Sequence, residues 1–235
     1  MKSDDKKKVM SAAKYANVQG VDISNPAVRC PVVLLLDTSK SMAGQPINEL
    51  EEALCQFISE VKDDVAAAAS VELCIVTLDE KATIQLPFTS AMDLVPRKLG
   101  LMARGGTFTG RSLDRAAEVI STRRTEYAQN GISSYAPWVI LMSDGKPGDN
   151  WEPAAQKLLA MTDKLRMQYI GIAIGDQAST KIMQKMLPPQ PGPLKLPHVR
   201  FKEFFRWLSD SLSAVSCSCV SEQNVPQIKK WSDIF

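Results

Sequence analysis

Three stretches of the chain are continuously apolar, at residues 32–36, 138–142 and 169–174. Runs of this kind are typical of strands that are buried on both faces, in the middle of a parallel sheet covered by helices. A more alternating run at 71–78 is followed by a polar turn at 79–81 and a further run at 82–86. This pattern predicts a hairpin, which places an antiparallel strand at one edge of the sheet.

Helical periodicity separates these runs, because hydrophobic residues recur there three and four positions apart. Four such series are present, at residues 47–61, 113–120, 154–165 and 205–215. Pro46 precedes the first series and suits the first position of a helix. The proline-rich stretch at 188–193, with Pro197, cannot hold a helix, so we expect an extended surface loop before the last helix.

The order of the elements is strand, helix, hairpin, helix, strand, helix, strand, helix. This order predicts a single α/β domain with an open, mostly parallel, doubly wound sheet, one antiparallel edge strand, and helices on both faces. Residues 1–25 and 221–235 lack sustained periodicity and are interpreted as tails around a domain at 26–220. Trp231 and Phe235 in the second tail are candidates for docking on the domain or on a partner.

Composition excludes several classes of protein. The 235 residues are 45% hydrophobic and carry a net charge of +2, which is ordinary for a globular chain and too little for the basic surface of a nucleic-acid binder. No apolar run approaches the roughly 18 residues needed to span a membrane. The first eight residues are charged and resemble no secretory signal, so we expect a cytoplasmic protein.

Cysteine and histidine offer little chemistry. The five cysteines are odd in number, and three of them lie in apolar patterns, so we expect reduced side chains rather than disulfides. Cys217 and Cys219 form an isolated C-x-C pair, which is too small a ligand set for structural zinc. The single histidine, His198, lies in the proline-rich loop and is interpreted as solvated rather than catalytic.

Oxygen-bearing side chains instead follow the buried strands. Asp37, Ser39 and Ser41 come directly after the first apolar run, and Asp144 follows the run at 138–142. A Gly-Gly-Thr loop that ends at Thr107 lies between them and leads into a helix. Ligands of open α/β sheets gather beyond the carboxyl ends of the strands, so these side chains are candidates for one site. Carboxylates and hydroxyls suit magnesium or calcium, whereas zinc and copper prefer softer ligands.

These motifs closely resemble the metal-ion-dependent adhesion site of von Willebrand factor A domains. The resemblance implies that one divalent cation is lined by Asp37, Ser39, Ser41, Thr107 and Asp144. It also implies that the cation is Mg²⁺, with Mn²⁺ or Ca²⁺ as alternatives, and that one coordination position stays open for an acidic side chain of a partner protein.

Further segments resemble the bacterial tellurite-resistance, TerY-type subgroup of that family. They are Arg29-Cys-Pro, Gly44-Gln-Pro-Ile, the segment from Asp144 to Trp151, and Phe204-Phe-Arg-Trp-Leu-Ser. Lys40 departs from the family pattern, where glycine is common, and it either opposes the cation or points outward. Thr109 offers a second hydroxyl two residues after Thr107. We favour Thr107 as the ligand, because the spacing from Thr107 to the following helix matches the family. A role in tellurite or stress response follows from this resemblance alone.

Three functions are compatible with such a site. The first is a non-enzymatic interaction module, whose cation bridges the domain to an Asp or Glu of a partner. The second is a magnesium-dependent phosphoryl-transfer or hydrolytic enzyme, but the chain has no P-loop motif and no histidine near the site. The third is a scaffold with a vestigial site, which the intact ligand set argues against. The sequence identifies neither the partner nor the oligomeric state.

Overall fold

The computed structural model describes residues 20–175, 178–197 and 200–218. The strands are β1 (Cys30–Leu36), β2 (Val71–Thr77), β3 (Ile84–Ser90), β4 (Trp138–Ser143), β5 (Gln168–Ile174) and β6 (Leu194–Leu196). The α-helices are α1 (Gln45–Asp63), α2 (Val65–Ser70), α3 (Thr109–Gln129), α4 (Glu152–Leu165), α5 (Thr180–Met186) and α6 (Phe201–Ser216). The predictions for His198, Cys219, Trp231 and Phe235 lie outside the described residues, and the domain boundaries at 26 and 220 stay predictions.

The strands form one sheet in the order β3-β2-β1-β4-β5-β6. Every neighbouring pair is parallel except β2 with β3, which is antiparallel and lies at one edge. This arrangement confirms the predicted α/β fold with its hairpin and its antiparallel edge strand.

Strand β1 occupies the interior of the sheet and is buried along its whole length. Successive side chains of a strand point to opposite faces, and those of β1 divide accordingly. Val32 and Leu34 pack in a core layer with α1 and α6, whereas Val33 and Leu35 pack in a second layer with α3 and α4. The uninterrupted apolar run therefore reflects two hydrophobic cores, one on each face.

The structure adds elements that the periodicity did not indicate. Helix α2 consists largely of alanine and has no amphipathic stripe, and the Asp64 carboxylate caps it by accepting a hydrogen bond from the Ala67 amide at 2.7 Å. The stretch predicted as a surface loop contains the short strand β6, which pairs with β5 and buries Leu194 and Leu196. Short elements like these carry too few hydrophobic positions for a period to be visible.

Two further findings concern the described helices and cysteines. Among the described helices, none has the length and apolar character needed to cross a membrane. The four cysteines within the described residues are free thiols, and burial raises the pKa of Cys30 and Cys74 to about 12. These two thiols therefore stay protonated at neutral pH and pack as small hydrophobic side chains.

A buried ionic cluster closes the end of the sheet where β1 and β2 begin. Glu72 of β2 is 3% exposed and accepts hydrogen bonds from Arg123 at 2.6 Å and from the Tyr127 hydroxyl at 2.5 Å. Arg29 lies 3.4 Å from the other carboxylate oxygen and also donates to the carbonyl oxygens of Asp22 and Asn25. The cluster links β2, α3 and the segment before β1, and its buried charges compensate one another.

We expect Glu72→Gln to lower the free energy of unfolding by about 3–5 kcal/mol, because it leaves the buried Arg29 without its carboxylate partner and leaves Arg123 with only the partly exposed Glu126. Urea denaturation followed by circular dichroism measures this change. The matched control is Glu118→Gln, whose side chain is 61% exposed in its pair with Arg115 and should cost no more than about 1 kcal/mol. Equal losses in the two variants would contradict the structural role of the cluster.

Candidate metal centre

The candidate site lies at the topological switch point of the sheet, where the strand order changes direction. From β1 the chain moves outward to β2 and β3, and it then returns to pair β4 on the other side of β1. Helices α1 and α3 leave for opposite faces, which opens a crevice at the carboxyl ends of β1 and β4. Asp37 follows β1 directly, and Asp144 follows β4 directly. The fold therefore brings together two carboxylates that are distant in sequence.

Asp37 is held in a fixed orientation inside the crevice. It is 1% exposed; its Oδ1 accepts a hydrogen bond from the Ser39 amide at 2.8 Å, and its Oδ2 accepts one from the Ser143 hydroxyl at 3.0 Å. Burial raises the pKa of Asp37, and the negative charge of Asp144 raises it further, against the lowering effect of these hydrogen bonds. A carboxylate in this setting favours a nearby positive charge.

The two serines of the first loop converge on each other. The Oγ atoms of Ser39 and Ser41 lie 2.8 Å apart, although Ser39 is buried and Ser41 is exposed. Lys40 between them begins a short 3₁₀ helix and its side chain is exposed to solvent. The first loop thus presents its hydroxyl oxygens on the side of the buried Asp37.

Three backbone and side-chain hydrogen bonds tie the three predicted ligand loops into a ring. The Lys40 amide donates to the Gly105 carbonyl at 3.3 Å and joins the first loop to the Gly-Gly-Thr loop. The Gly148 amide donates to the Thr107 carbonyl at 2.7 Å and joins that loop to the segment after Asp144. The Ser143–Asp37 hydrogen bond completes the ring. All five predicted metal ligands therefore belong to one connected set of loops.

The donor set fits a hard divalent cation. It offers hydroxyl and carboxylate oxygens, and the described residues contain no group of three or more His, Cys, Asp and Glu side chains placed to hold a metal. With only two carboxylates, the site depends on its hydroxyls. Thr107 is buried, and so is the Thr109 Oγ1, which has no hydrogen-bond partner among the described residues. The choice between these two threonines stays open at this point.

Ser143 is a site residue that the sequence reasoning did not include. It ends β4 and is 1% exposed, and its Oγ accepts a hydrogen bond from the Gly145 amide at 3.1 Å while donating to Asp37. Gly145 has a φ of 70°, and a Cβ there would lie 2.6 Å from the Ser179 carbonyl oxygen, so this turn requires glycine. A hydroxyl at the end of an otherwise apolar strand was the available signal.

Asp149 has a different role from the one its position suggests. An aspartate just before a helix commonly caps that helix, but the Asp149 carboxylate accepts hydrogen bonds from the Gly110 and Arg111 amides of α3 at 3.0 and 3.1 Å. It therefore caps α3, while α4 begins after Trp151 without a side-chain cap. A Cβ on Gly110 would lie 2.7 Å from the Asn150 carbonyl oxygen, so glycine permits this close approach. Asp149 thereby fixes the helix start next to Thr107.

Asp79 is a turn residue, as its position in the hairpin predicts. Its carboxylate accepts hydrogen bonds from the amides of Lys81 and Thr83 and from the Thr77 hydroxyl. Although burial opposes the effect, these hydrogen bonds lower the pKa of Asp79. The Asp79 carboxylate therefore stabilises the hairpin turn.

A cavity of about 360 Å³ opens beside the Gly-Gly-Thr loop. It lies between the hairpin turn at 79–83 and the segment Arg104-Gly105-Gly106. None of the five candidate ligands lines this cavity, but its lining includes Gly106, the residue before Thr107.

Comparisons with known proteins agree with this architecture. Residues 32–198 match the sequence model of the von Willebrand factor type A domain. No curated protein matches the chain significantly. Among solved structures, the vWF domain of the type V pili tip protein Mfa5 from Porphyromonas gingivalis is similar, with a TM-score of 0.63 and 13% identity over 82% of this chain and 98% of that one.

Proximal thread matrix protein 1 from the mussel byssus is also similar, with a TM-score of 0.55 and 20% identity over 80% of this chain. The match covers only 48% of the mussel protein. A further structure of that protein has a zinc-occupied MIDAS motif and a TM-score of 0.53, with 20% identity over 80% of this chain and 48% of that one. At these identities the likeness shows the fold alone.

We expect Ser143→Ala to weaken binding of Mn²⁺ by about 5- to 10-fold, because Asp37 loses the hydrogen bond that orients its Oδ2, worth about 1–1.5 kcal/mol. Isothermal titration calorimetry measures the affinity, and thermal denaturation in EDTA measures the stability of the metal-free protein. Ser143→Thr keeps the hydroxyl and should retain affinity close to that of the wild type. Equal affinities in wild type and Ser143→Ala would contradict a positioning role.

We expect Asp37→Asn to abolish metal binding while raising the melting temperature of the metal-free protein. The raised pKa of Asp37 means that its ionised form opposes folding at neutral pH, so the neutral amide removes that penalty. A gain of about 1 kcal/mol corresponds to about 2–4 °C in a domain of this size. The difference should shrink as the pH falls and should vanish below the unfolded carboxyl pKa of about 4, where Asp37 is protonated in both states. A variant melting below wild type in EDTA at pH 7 would contradict this prediction.

Proposed function

Because this chain belongs to the von Willebrand factor type A domain family, we propose that it is a protein-binding module that captures an acidic residue of a partner through a divalent cation. In this proposal the cation is held by Asp37, Ser39, Ser41, Thr107 and Asp144. The partner supplies an Asp or Glu carboxylate at a remaining coordination position. The module does not catalyse a reaction.

One observation carries the proposal, namely that a buried carboxylate faces a second carboxylate without a cation of the protein to balance them. Among the described residues, no lysine or arginine forms an ion pair with Asp37 or Asp144. Buried charges in proteins are paired or coordinate metals. A divalent cation would balance the two carboxylates and, with hydroxyls as its other protein ligands, would stay attractive to a further anion.

We propose Mg²⁺ as the physiological cation, with Mn²⁺ or Ca²⁺ as alternatives. An all-oxygen donor set of carboxylates and hydroxyls favours these hard cations over softer metals. The zinc in the mussel protein belongs to that protein. A titration with each metal in turn would rank the affinities.

An enzymatic use of the same cation is the second candidate. Carboxylates that balance a metal are weak bases, and general base catalysis needs a group with a pKa near the working pH. The only histidine of the chain is His198, outside the described residues. The donor set therefore favours binding over hydrolysis or phosphoryl transfer.

The finer assignment rests on sequence motifs. We propose that the chain is a cytoplasmic member of the tellurite-resistance, TerY-type subgroup, with a role in tellurite or stress response. The segments around Arg29, Gly44, Asp144 and Phe204 support this assignment by their resemblance to that subgroup. Growth on tellurite of a strain lacking the gene, compared with the same strain complemented by wild type or by Asp37→Ala, tests it.

We expect Mg²⁺ to support capture of partner proteins from an extract of the source cell, and we expect EDTA to abolish it. Asp37→Ala and Asp144→Ala should abolish the same captured bands, because each removes one of the two carboxylates that balance the cation. Mass spectrometry identifies the bands, and substitution of single partner Asp or Glu residues locates the contact. Bands that persist in EDTA and in both variants would contradict the proposal.

The two threonines provide an internal comparison in the same experiment. Thr107→Ala should weaken metal-dependent capture more than Thr109→Ala, because Thr107 lies on the loop that is hydrogen-bonded to both other ligand loops. The reverse order would assign the hydroxyl ligand to Thr109, whose buried Oγ1 has no partner among the described residues. Phosphoester hydrolysis that is lost in Asp144→Ala would favour the enzymatic alternative.

A further inference from the structure

Each of the three ligand loops carries one exposed basic side chain close to its metal ligands. Lys40 lies between the two serines, Arg104 lies three residues before Thr107, and Lys146 lies two residues after Asp144. Within the described ranges, none of the three forms an ion pair. We call these three residues the cationic rim.

Backbone hydrogen bonds place the rim residues beside the site. The Lys40 amide donates to Gly105 on the next loop, and the Arg104 amide donates to the Thr38 carbonyl on the first loop at 2.8 Å. The Lys146 amide donates to Asp144 Oδ1 at 3.0 Å. Each basic residue is therefore anchored by its backbone to a ligand loop, and its long side chain is free to extend over the neighbouring surface.

The acidic residues nearby do not balance the rim. The Asp79 carboxylate is bonded to amides of its own turn, and the Asp149 carboxylate is bonded to amides of α3. Glu80 is exposed in the hairpin turn and is followed by Lys81. A divalent cation would cancel the charges of the two ligand carboxylates. Together with Lys81 and Arg111, the rim gives five positive charges against the three negative charges of Asp79, Glu80 and Asp149. The surroundings of the loaded site would therefore stay positive after a single partner carboxylate binds.

We propose that the partner binds through an acidic segment, in which the carboxylate that reaches the metal is flanked by further Asp or Glu residues that pair with the cationic rim. This inference rests on the proposed function and specifies its partner. The cavity of about 360 Å³ beside Arg104 gives a flanking side chain space next to the metal-binding one. A net charge of only +2 over the whole chain favours a short acidic protein segment over the long phosphate backbone of a nucleic acid.

The experiment compares two synthetic peptides on the full chain in Mg²⁺. One peptide has a single Glu within serines (SSSESSS), and the other has the same Glu flanked by acidic residues (EESESEE). Calorimetry or fluorescence anisotropy at low ionic strength should give tighter binding of the acidic peptide by about 3- to 100-fold, since each of three exposed charge pairs raises the affinity by about 1.5- to 5-fold. The preference should shrink as salt is added, because exposed charges are screened.

Charge-neutralising variants assign the preference to the rim. Lys40→Gln, Arg104→Gln and Lys146→Gln should each reduce it by about 1.5- to 5-fold, and the triple variant should nearly remove it. Their Mg²⁺ affinity should not fall, because removing a nearby positive charge does not disfavour a cation. The control is Lys164→Gln, an exposed lysine in the last turn of α4, at the opposite end of the sheet, which should leave the preference unchanged.

The outcomes separate this inference from the proposed function. Equal Mg²⁺-dependent binding of the two peptides, or a preference that survives the triple variant, would overturn the rim and leave the proposed function intact. Absence of Mg²⁺-dependent binding by either peptide would count against both. Tighter binding of single-stranded oligothymidine than of the acidic peptide would overturn the inference in favour of a nucleic-acid partner.

Discussion

The parallel pairing of β1 with β4 is the constraint on which the site depends. These two strands are separated in the chain by helices α1 and α2, the β2–β3 hairpin and helix α3, yet they lie side by side with Leu36 opposite Met142. Because both strands run in the same direction, Asp37 and Asp144 lie at the same end of the sheet, beyond the carboxyl ends of β1 and β4. The helices that follow β1 and β3 cover opposite faces of the sheet, so the crevice at the carboxyl ends of β1 and β4 stays open.

Buried negative charge is balanced differently at the two ends of the sheet. At the end where β1 and β2 begin, the Glu72 carboxylate is surrounded by Arg29, Arg123 and Tyr127, and its charge is balanced within the protein. At the other end, Asp37 is equally buried but receives only hydrogen bonds from an amide and a hydroxyl, and Asp144 adds a second negative charge. The charges of the first arrangement are balanced within the protein, whereas the second has the donors that a cation would need.

Hydrogen bonds between the loops give the candidate site its preorganisation. Asp37, the Gly-Gly-Thr loop and the segment after Asp144 are connected pairwise, so the oxygen donors do not have to be gathered when a cation enters. Holding two like charges near each other costs folding free energy, and binding of the proposed cation would return part of it. The basic residues outside this ring lie on the same loops, which couples the proposed metal site to the proposed acidic partner.

The sequence by itself determined the fold class and most of its elements. Continuous apolar runs and helical spacing report burial directly, since a strand covered on both faces needs hydrophobic residues at every position, as β1 shows. The short elements α2, α5 and β6 were not predicted, because so few residues show no visible hydrophobic period. The five ligand positions were predicted because strand ends and oxygen-bearing residues are visible in the sequence, and their role as ligands is still a prediction.

Only the tertiary structure decided how these residues act on one another. The Ser143 hydroxyl meets Asp37 across 106 positions of chain, and Asp149 caps α3 rather than the helix next to it in sequence. The outward position of Lys40, and its place in a rim with Arg104 and Lys146, depend on three separate loops meeting at one edge. Such contacts join residues that are far apart in the chain, so local patterns of hydrophobicity do not predict them.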